Sequence, residues 1–393
     1  MSFKIAFSGT GHRYTAEEVA VVVDAMQNAE PLTQGVHRNA FEKKFCEYNG
    51  NTHAFSVCNA TAALEMAAQM CLFENGDEVI APSHTFTSSV YPFIKKGARP
   101  VWADIDLHTR VITLESIKKC ITKKTKAVVA VHLYGFIIPE IQEIADFLKK
   151  YNILLIEDVA QAMGTEMHGQ KAGTFGDFGV FSFHSHKNIT TLGEGGMLTV
   201  KDEKYAKIIP MLRHNGHCPF DYNREHYWVP AMGNLDISQL GEEYLLPNNY
   251  CLGEVECALG VKLLDRIDEM NAQKRQRAMR FIDELENFTE EIEFHRINDR
   301  RHNYHLLAGF VKNGKRDAIM EILSSDKKIQ CVVQYYPLNR YPLYKKLGFG
   351  NADCPNADNF FDNMISFPFH QWMKNEDFEY MLESFKEVMK EIR

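Results

Sequence analysis

Over its first two-thirds the chain alternates short apolar runs with stretches in which apolar residues recur every three or four positions. The runs "DEVIAP", "RPVWADI", "KAVVAVHLYG", "NILLIEDVA", "FGVFSF" and "GGMLTV" have the length and composition of buried strands. Between them, stretches such as "IPEIQEIADFLKKY" carry a helical period. Strands spaced by helices predict a parallel sheet with crossover helices, an α/β arrangement. "AEEVAVVVDAM" reads as an amphipathic helix, with Thr15 and Glu18 spaced for a capping box at its start. Another helix is expected from Thr61 through "AALEMAAQM". After "NNYCLGEVECALG" the texture changes. "VKLLDRIDEMNAQKRQRAMRFIDELENF" predicts one long amphipathic helix; the remainder mixes short strands, "NYHLLAGFV" and "QCVVQYY", with helices and closes on "NEDFEYMLESFKEVMKEI". The boundary is placed near Leu264, giving a large α/β domain with an N-terminal arm over 1–264 and a smaller α+β domain over 265–393. From Cys218 to Asn248 the chain is aromatic-rich and aperiodic, as long functional or mobile segments are.

Polar residues recur where the expected strands end: His84 to Phe86, His132, Asp158, Gln161 and Ser182. Ligands of open α/β sheets sit outside the carboxyl ends of the strands, so these positions could converge on one crevice. Asp158 follows a wholly apolar strand. Taken alone it would be a helix cap or half of a structural ion pair. Lys187 follows the next strand, in "FSFHSHKNITTLGEGG", and Ser182 lies within that strand. Asn59, Ala60 and Thr61 open a helix directly after a short apolar run, and a helix start with free N–H groups suits a phosphate. A lysine for an aldehyde, a carboxylate for a ring nitrogen and a phosphate-ready helix start together match the needs of pyridoxal phosphate.

Composition narrows the alternatives. A chain of 393 residues fits one large domain plus a smaller one, and 45% hydrophobic with 24% charged residues is ordinary for a globular protein. The net charge of −8, with no basic block, argues against nucleic-acid binding. No apolar run is long enough to span a membrane, and "MSFKIAFSGTGHRY" is too short and polar for a signal peptide, so a soluble cytoplasmic protein is expected. Nine cysteines without a C-x-x-C pair disfavour a disulfide framework or a structural zinc site. "HNGHC", His214 to Cys218, has metal-ligand chemistry but reads better as a polar loop. "FKIAFSGTGHRYTAEEV" imitates a dinucleotide-binding turn, yet Tyr14 stands where the third glycine belongs and no second strand ends in an acidic residue at the required distance. It is read as an N-terminal arm.

Taken in order, "PLTQGVHRNAFEKKF", "PSHTFTSSVYPFIKKGARPVWADID", "AVHLYG", "IEDVAQAMG", "GDFGVFSFHSHKNITTLGEGGML", "LRHNG", "NNYCLGEVECALG" and "VQYYPLNRYPLYKKLG" resemble the DegT/DnrJ/EryC1/StrS aminotransferases over nearly the whole chain. The resemblance implies the aspartate-aminotransferase fold (fold type I): a mostly parallel seven-stranded sheet plus a smaller α+β domain. It implies Lys187 as the covalent anchor of pyridoxal phosphate, Asp158 on the pyridinium nitrogen, Gln161 near the phenolic oxygen and Phe86 stacked on the ring. The phosphate would be held by the main chain of Ala60 and Thr61 with Ser182, and by Asn249 reaching across a homodimer to the neighbouring subunit's site. Glutamate is the implied amino donor, and a nucleotide-linked keto-deoxy sugar the implied acceptor. A cyclitol ketone or a small phosphorylated ketone is the alternative for the same reaction. Departures from the family pattern are Asn59-Ala60-Thr61 for S-G-T, "HSH" before the lysine, the inserted Leu192, "NYCLG" for N-Y-R-M and Phe136 after "VHLYG". They leave the cofactor set intact and bear on the substrate. Sugar dehydratases of this kind carry a histidine in place of the lysine; here His186 falls one place early and "KNITT" keeps Lys187 in register. The iron–sulfur type would need a cysteine cluster, and a non-enzymatic regulator would have no use for the full Lys, Asp, Gln and Ser set.

Overall fold

A computed structural model of the chain describes residues 2–7, 12–217, 226, 228 and 245–393. Strands β1 (His53–Val57), β2 (Glu78–Pro82), β3 (Arg99–Ala103), β4 (Thr125–Val131), β5 (Leu154–Asp158), β8 (Phe178–Ser182) and β9 (Gly196–Val200) form one sheet in the order β1-β9-β8-β5-β4-β2-β3. The short β6 (Glu166–Met167) and β7 (Gln170–Lys171) make a separate hairpin. β3, β2, β4, β5 and β8 are parallel neighbours, while β9 runs antiparallel to both β8 and β1. The exception has a local cause. A parallel return needs a crossover of a dozen or more residues, usually through a helix; the chain instead turns back from Ser182 to Gly196 without one. That turn, which carries Lys187, therefore stays at the carboxyl end of the sheet.

The expected capping box is present: Thr15 N–H donates to Glu18 Oε2 at 2.8 Å and Glu18 N–H to Thr15 Oγ1 at 3.2 Å, opening the helix Ala16–Asn28. Asn59 caps the helix Ala60–Met70 through Ala62 N–H at 2.9 Å, and that helix, buried from Ala62 onward, packs on β8 and β9. Two distant segments are tied by Glu254, whose carboxylate accepts the N–H groups of Gly35, His37 and Arg38 at 2.8, 2.7 and 3.2 Å. Negative charge at the start of the helix Val36–Asn49 also suits its dipole.

Beyond the large sheet, β10 (Ile292–Phe294), β11 (Leu307–Val311) and β12 (Met364–Phe367) form an antiparallel sheet in that order. With the helices Ile267–Asp283, Arg316–Ser325 and Asn375–Ile392 they enclose a second hydrophobic cluster, which Ile5 joins from the N-terminal arm. The large cluster also takes in Leu338, Tyr344 and Phe360 from this part of the chain. Two expectations need correction. The long helix is two, Glu254–Leu263 and Ile267–Asp283, broken without a Gly or Pro to announce it. "QCVVQYY" is not a strand: only Val332 pairs, with Ser366, before the chain leaves the sheet edge. Residues 3–7 of the imitation dinucleotide motif form no strand, only a bridge from Ile5 to Ile329; its glycine turn, residues 8–11, lies outside the described residues. Cys218 and most of the aromatic-rich segment after it lie outside them too.

Candidate active site

Side chains alternate between the faces of a strand, and the end of β5 separates two acidic residues by that rule. Glu157 points into a wholly buried network. Its carboxylate accepts N–H groups from Gly173, Phe175 and Gly176 at 2.8, 2.7 and 2.6 Å, and His132 Nε2 lies 2.9 Å away. Because Ile138 N–H donates to His132 Nδ1, the proton sits on Nε2 and His132 donates to Glu157. His132 is thus a structural residue. Asp158 points the other way, into a cavity of about 580 Å³. Its Oδ2 accepts the Ser89 hydroxyl at 2.7 Å and its Oδ1 the Ala160 N–H at 3.0 Å. Ser89 lies in turn 3.1 Å from the Thr85 hydroxyl, so the carboxylate is held from two sides.

Lys187 lines the same cavity. Burial pushes its amine down to about 8, against the upward pull of the Asp158 charge. A lysine near that value keeps an appreciable neutral fraction at neutral pH, as carbonyl chemistry requires. The phosphate-ready helix start is also on the wall: Ala60 and Thr61 face the cavity, with Ser182 beside them and the Thr61 hydroxyl 3.2 Å from Ser88 Oγ. Backbones meet closely here. A Cβ on Gly196 would stand 2.6 Å from the Asn59 carbonyl carbon and 2.7 Å from Ala60 N, so only glycine lets β9 run this close to the helix start.

Gln161 is fixed at both ends. Its Oε1 accepts the Tyr134 N–H at 2.8 Å and its Nε2 donates to the Tyr335 hydroxyl at 3.0 Å. Phe86 is half exposed, and its exposed part faces the cavity, with the Tyr335 ring 5.8 Å away. The fold thus brings Ala60, Thr61, Phe86, Asp158, Gln161, Ser182 and Lys187 around one space. Asn249 is not among them; it is exposed and bridged to His214. His84 is also outside, within hydrogen-bond distance of Tyr134. Ser89, Tyr335, Lys274 and His305 face the cavity and escaped the sequence reading. Ser89 closes the motif "PSHTFTSS", where one serine among several carries no local mark of a role. The other three come from residues 274–335, where no local pattern marks them.

The family model for DegT/DnrJ/EryC1/StrS aminotransferases matches residues 13–386. The chain belongs to this family. Among its relatives, the GDP-perosamine synthase of Vibrio cholerae is 31% identical over 348 residues, 88% of this chain and 89% of that one. The L-glutamine:2-deoxy-scyllo-inosose aminotransferase of Streptomyces kanamyceticus is 35% identical over 240 residues, 61% of this chain and 53% of its own. The Streptococcus pneumoniae protein Spr1654 in its PLP form superposes with a TM-score of 0.81 at 26% identity, each chain covered in full (100%). The large sheet is accordingly that of a fold type I aminotransferase, and pyridoxal phosphate is the family cofactor. The donor set fits it: a buried carboxylate, a lysine on the cavity wall, and a glycine-cleared helix start beside a serine hydroxyl. Among the described residues no helix is long and apolar enough to cross a membrane, and no group of three or more His, Cys, Asp or Glu could hold a metal ion. Cys218 of the "HNGHC" motif lies outside those residues.

Proposed function

We propose that this aminotransferase moves an amino group from glutamate onto the keto group of a nucleotide-linked keto-deoxy sugar. The observation that carries the chemistry is the convergence of Lys187, Asp158, Ser182 and the Ala60 helix start on one cavity. What supports the acceptor is the Vibrio cholerae relative's name, together with the room beyond Lys187, where the cavity continues to Phe7, His12, His370 and Trp372. Its volume lies within the roughly 300–1,000 Å³ of small-ligand sites.

In this reading, bound pyridoxal phosphate supplies an aldehyde that takes up the donor's amino group and a ring that withdraws electrons from the donor's α-carbon. The protein does the rest. Lys187 would hold the aldehyde carbon and would carry the proton between the donor's α-carbon and the cofactor's C4′. Asp158 keeps a proton on the ring nitrogen, and the Ser89 and Ala160 hydrogen bonds keep its carboxylate aimed there. Gln161 would present its amide to the phenolic oxygen, and Phe86 would cover the ring. Ala60 and Thr61 N–H groups with the Ser182 hydroxyl hold the phosphate.

A cyclitol ketone is the second reading, favoured by the Streptomyces relative's name. The test is an acceptor screen. Protein reduced to its pyridoxamine form is offered keto-deoxy sugar nucleotides, cyclitol ketones and small phosphorylated ketones, and loss of pyridoxamine absorbance is followed. Fastest loss with a sugar nucleotide is expected; fastest loss with a cyclitol moves the assignment there.

We also propose a domain boundary near residue 264, supported by the helix break at 264–266 and the second hydrophobic cluster, and an active homodimer in which Asn249 reaches the partner's phosphate site. The dimer is tested by mixing Lys187→Ala chains with Asn249→Ala chains. Shared sites leave one of the two sites in a mixed dimer intact, so activity returns. No recovery after verified subunit exchange means that each chain completes its own site.

A further inference from the structure

Lys274 sits in the middle of the helix Ile267–Asp283, 4% exposed, with its remaining surface on the cavity that Lys187 lines. Its amine donates to the His305 carbonyl oxygen at 2.9 Å and to Asn188 Oδ1 at 3.3 Å. Both acceptors are neutral, an amide oxygen and a backbone carbonyl, and among the described residues Lys274 forms no ion pair. The amine is nonetheless held in place. Asn271 Nδ2 donates to the Met163 carbonyl, and Asn188 Nδ2 donates to Asn271 Oδ1 at 2.6 Å, which turns Asn188 Oδ1 toward Lys274. Asn188 is the residue after Lys187, so this chain of amides fixes the second amine beside the first. His305 adds to the picture: 5% exposed, it lines the same cavity, and its Nδ1 is buried with no partner.

An ammonium taken out of water with only neutral partners is costly, and an arriving anion offsets that cost. Burial first, and the Lys187 charge second, push the Lys274 amine down to about 7, as an unpaired buried cation should be. The cofactor phosphate belongs at the Ala60 helix start. Two further anions enter the cavity in this reading, the acceptor's diphosphate and the donor's own carboxylate, and the one carried next to the reacting amine is the donor's. An amino acid whose amine displaces Lys187 carries its α-carboxylate on the adjoining carbon, which puts that carboxylate beside Lys187. We propose that Lys274, together with Nδ1 of His305, binds the α-carboxylate of the amino-acid donor. This rests on the aminotransferase reading and adds the donor subsite to it.

The test uses cofactor-loaded protein and reads binding without turnover. The probe is 2-methyl-L-glutamate, which has no proton on its α-carbon; its dissociation constant is taken from the shift in cofactor absorbance. In Lys274→Gln that constant is expected to rise about tenfold or more, while KM for the ketone acceptor stays within about twofold. L-Glutamate 1-amide, which lacks the α-carboxylate, should bind wild type and variant alike, and Lys274→Arg should restore part of the preference for glutamate. An unchanged constant, or equal weakening of glutamate and its 1-amide, overturns the proposal. If Lys274→Gln does not fold, His305→Phe carries the comparison, since it removes Nδ1 and leaves the carbonyl that Lys274 uses; no loss of preference there overturns it as well. Lysine-linked cofactor absorbance in wild type, and its response to glutamate, stand apart from all these outcomes and test the aminotransferase reading alone.

Discussion

Lys187→Ala is expected to abolish turnover while leaving the fold in place. Two losses combine. The cofactor loses its covalent anchor, so the near-visible absorbance of lysine-linked pyridoxal phosphate disappears. The group that moves the proton is gone as well, and general acid–base groups are worth about 10²–10⁴-fold by themselves. A fall in kcat of about 10³-fold or more is therefore expected. The side chain lines a cavity, so its removal opens no void in packed core, and the melting temperature without cofactor should stay close to that of wild type. Substantial residual turnover, or unchanged absorbance, would place the anchor on another lysine. Lys274, on the same cavity wall, is the residue to examine next.

The second large effect is expected from Asp158→Asn. An amide cannot hold a proton on the pyridine nitrogen by charge, and the ring then withdraws electrons poorly. Loss of turnover by about 100-fold, or roughly 2.7 kcal/mol of barrier, is expected, with the cofactor still bound through Lys187. The substitution has a companion effect of known sign. The Asp158 charge raises the Lys187 pKa, so its removal should lower the pKa below the value of about 8 in the native protein. In cofactor-free protein the midpoint of the pH dependence of cofactor uptake should shift to lower pH. A loss of turnover below about tenfold would remove Asp158 from the electron-withdrawing role.

Asp158 and Lys187 were legible in the sequence for a physical reason. A wholly apolar strand ending in a carboxylate, followed by a second apolar strand and a lysine in a glycine-rich turn, states its topology locally. The alternation that turns Glu157 into the protein and Asp158 into the cavity is a property of β5 itself. Ala60 and Thr61 were legible as a helix start after a short apolar run, Ser182 as a hydroxyl in the strand before Lys187, and Phe86 through the family motifs; all four line the cavity. Asn249 was read from the same motifs, yet its assigned partner is another subunit, and in this chain it lies away from the cavity.

Other members of the site could not be read locally. Lys274 occupies a polar-rich helix in which a lysine looks like any solvated charge; only the packing of that helix over the Lys187 turn buries it. Tyr335 reaches Gln161 because "QCVVQYY", apolar enough to pass for a strand, leaves the sheet edge after Val332. Contacts between residues 161 and 335, or 188 and 274, join segments far apart in the chain, and no period in the sequence records them.

The most direct measurement is borohydride reduction of the purified protein, followed by proteolysis and mass mapping of the reduced, cofactor-bearing peptide. A single modified peptide containing Phe181 to Gly196 is expected, with the adduct on Lys187. An adduct on any other lysine, or a protein that takes up no pyridoxal phosphate, would contradict it.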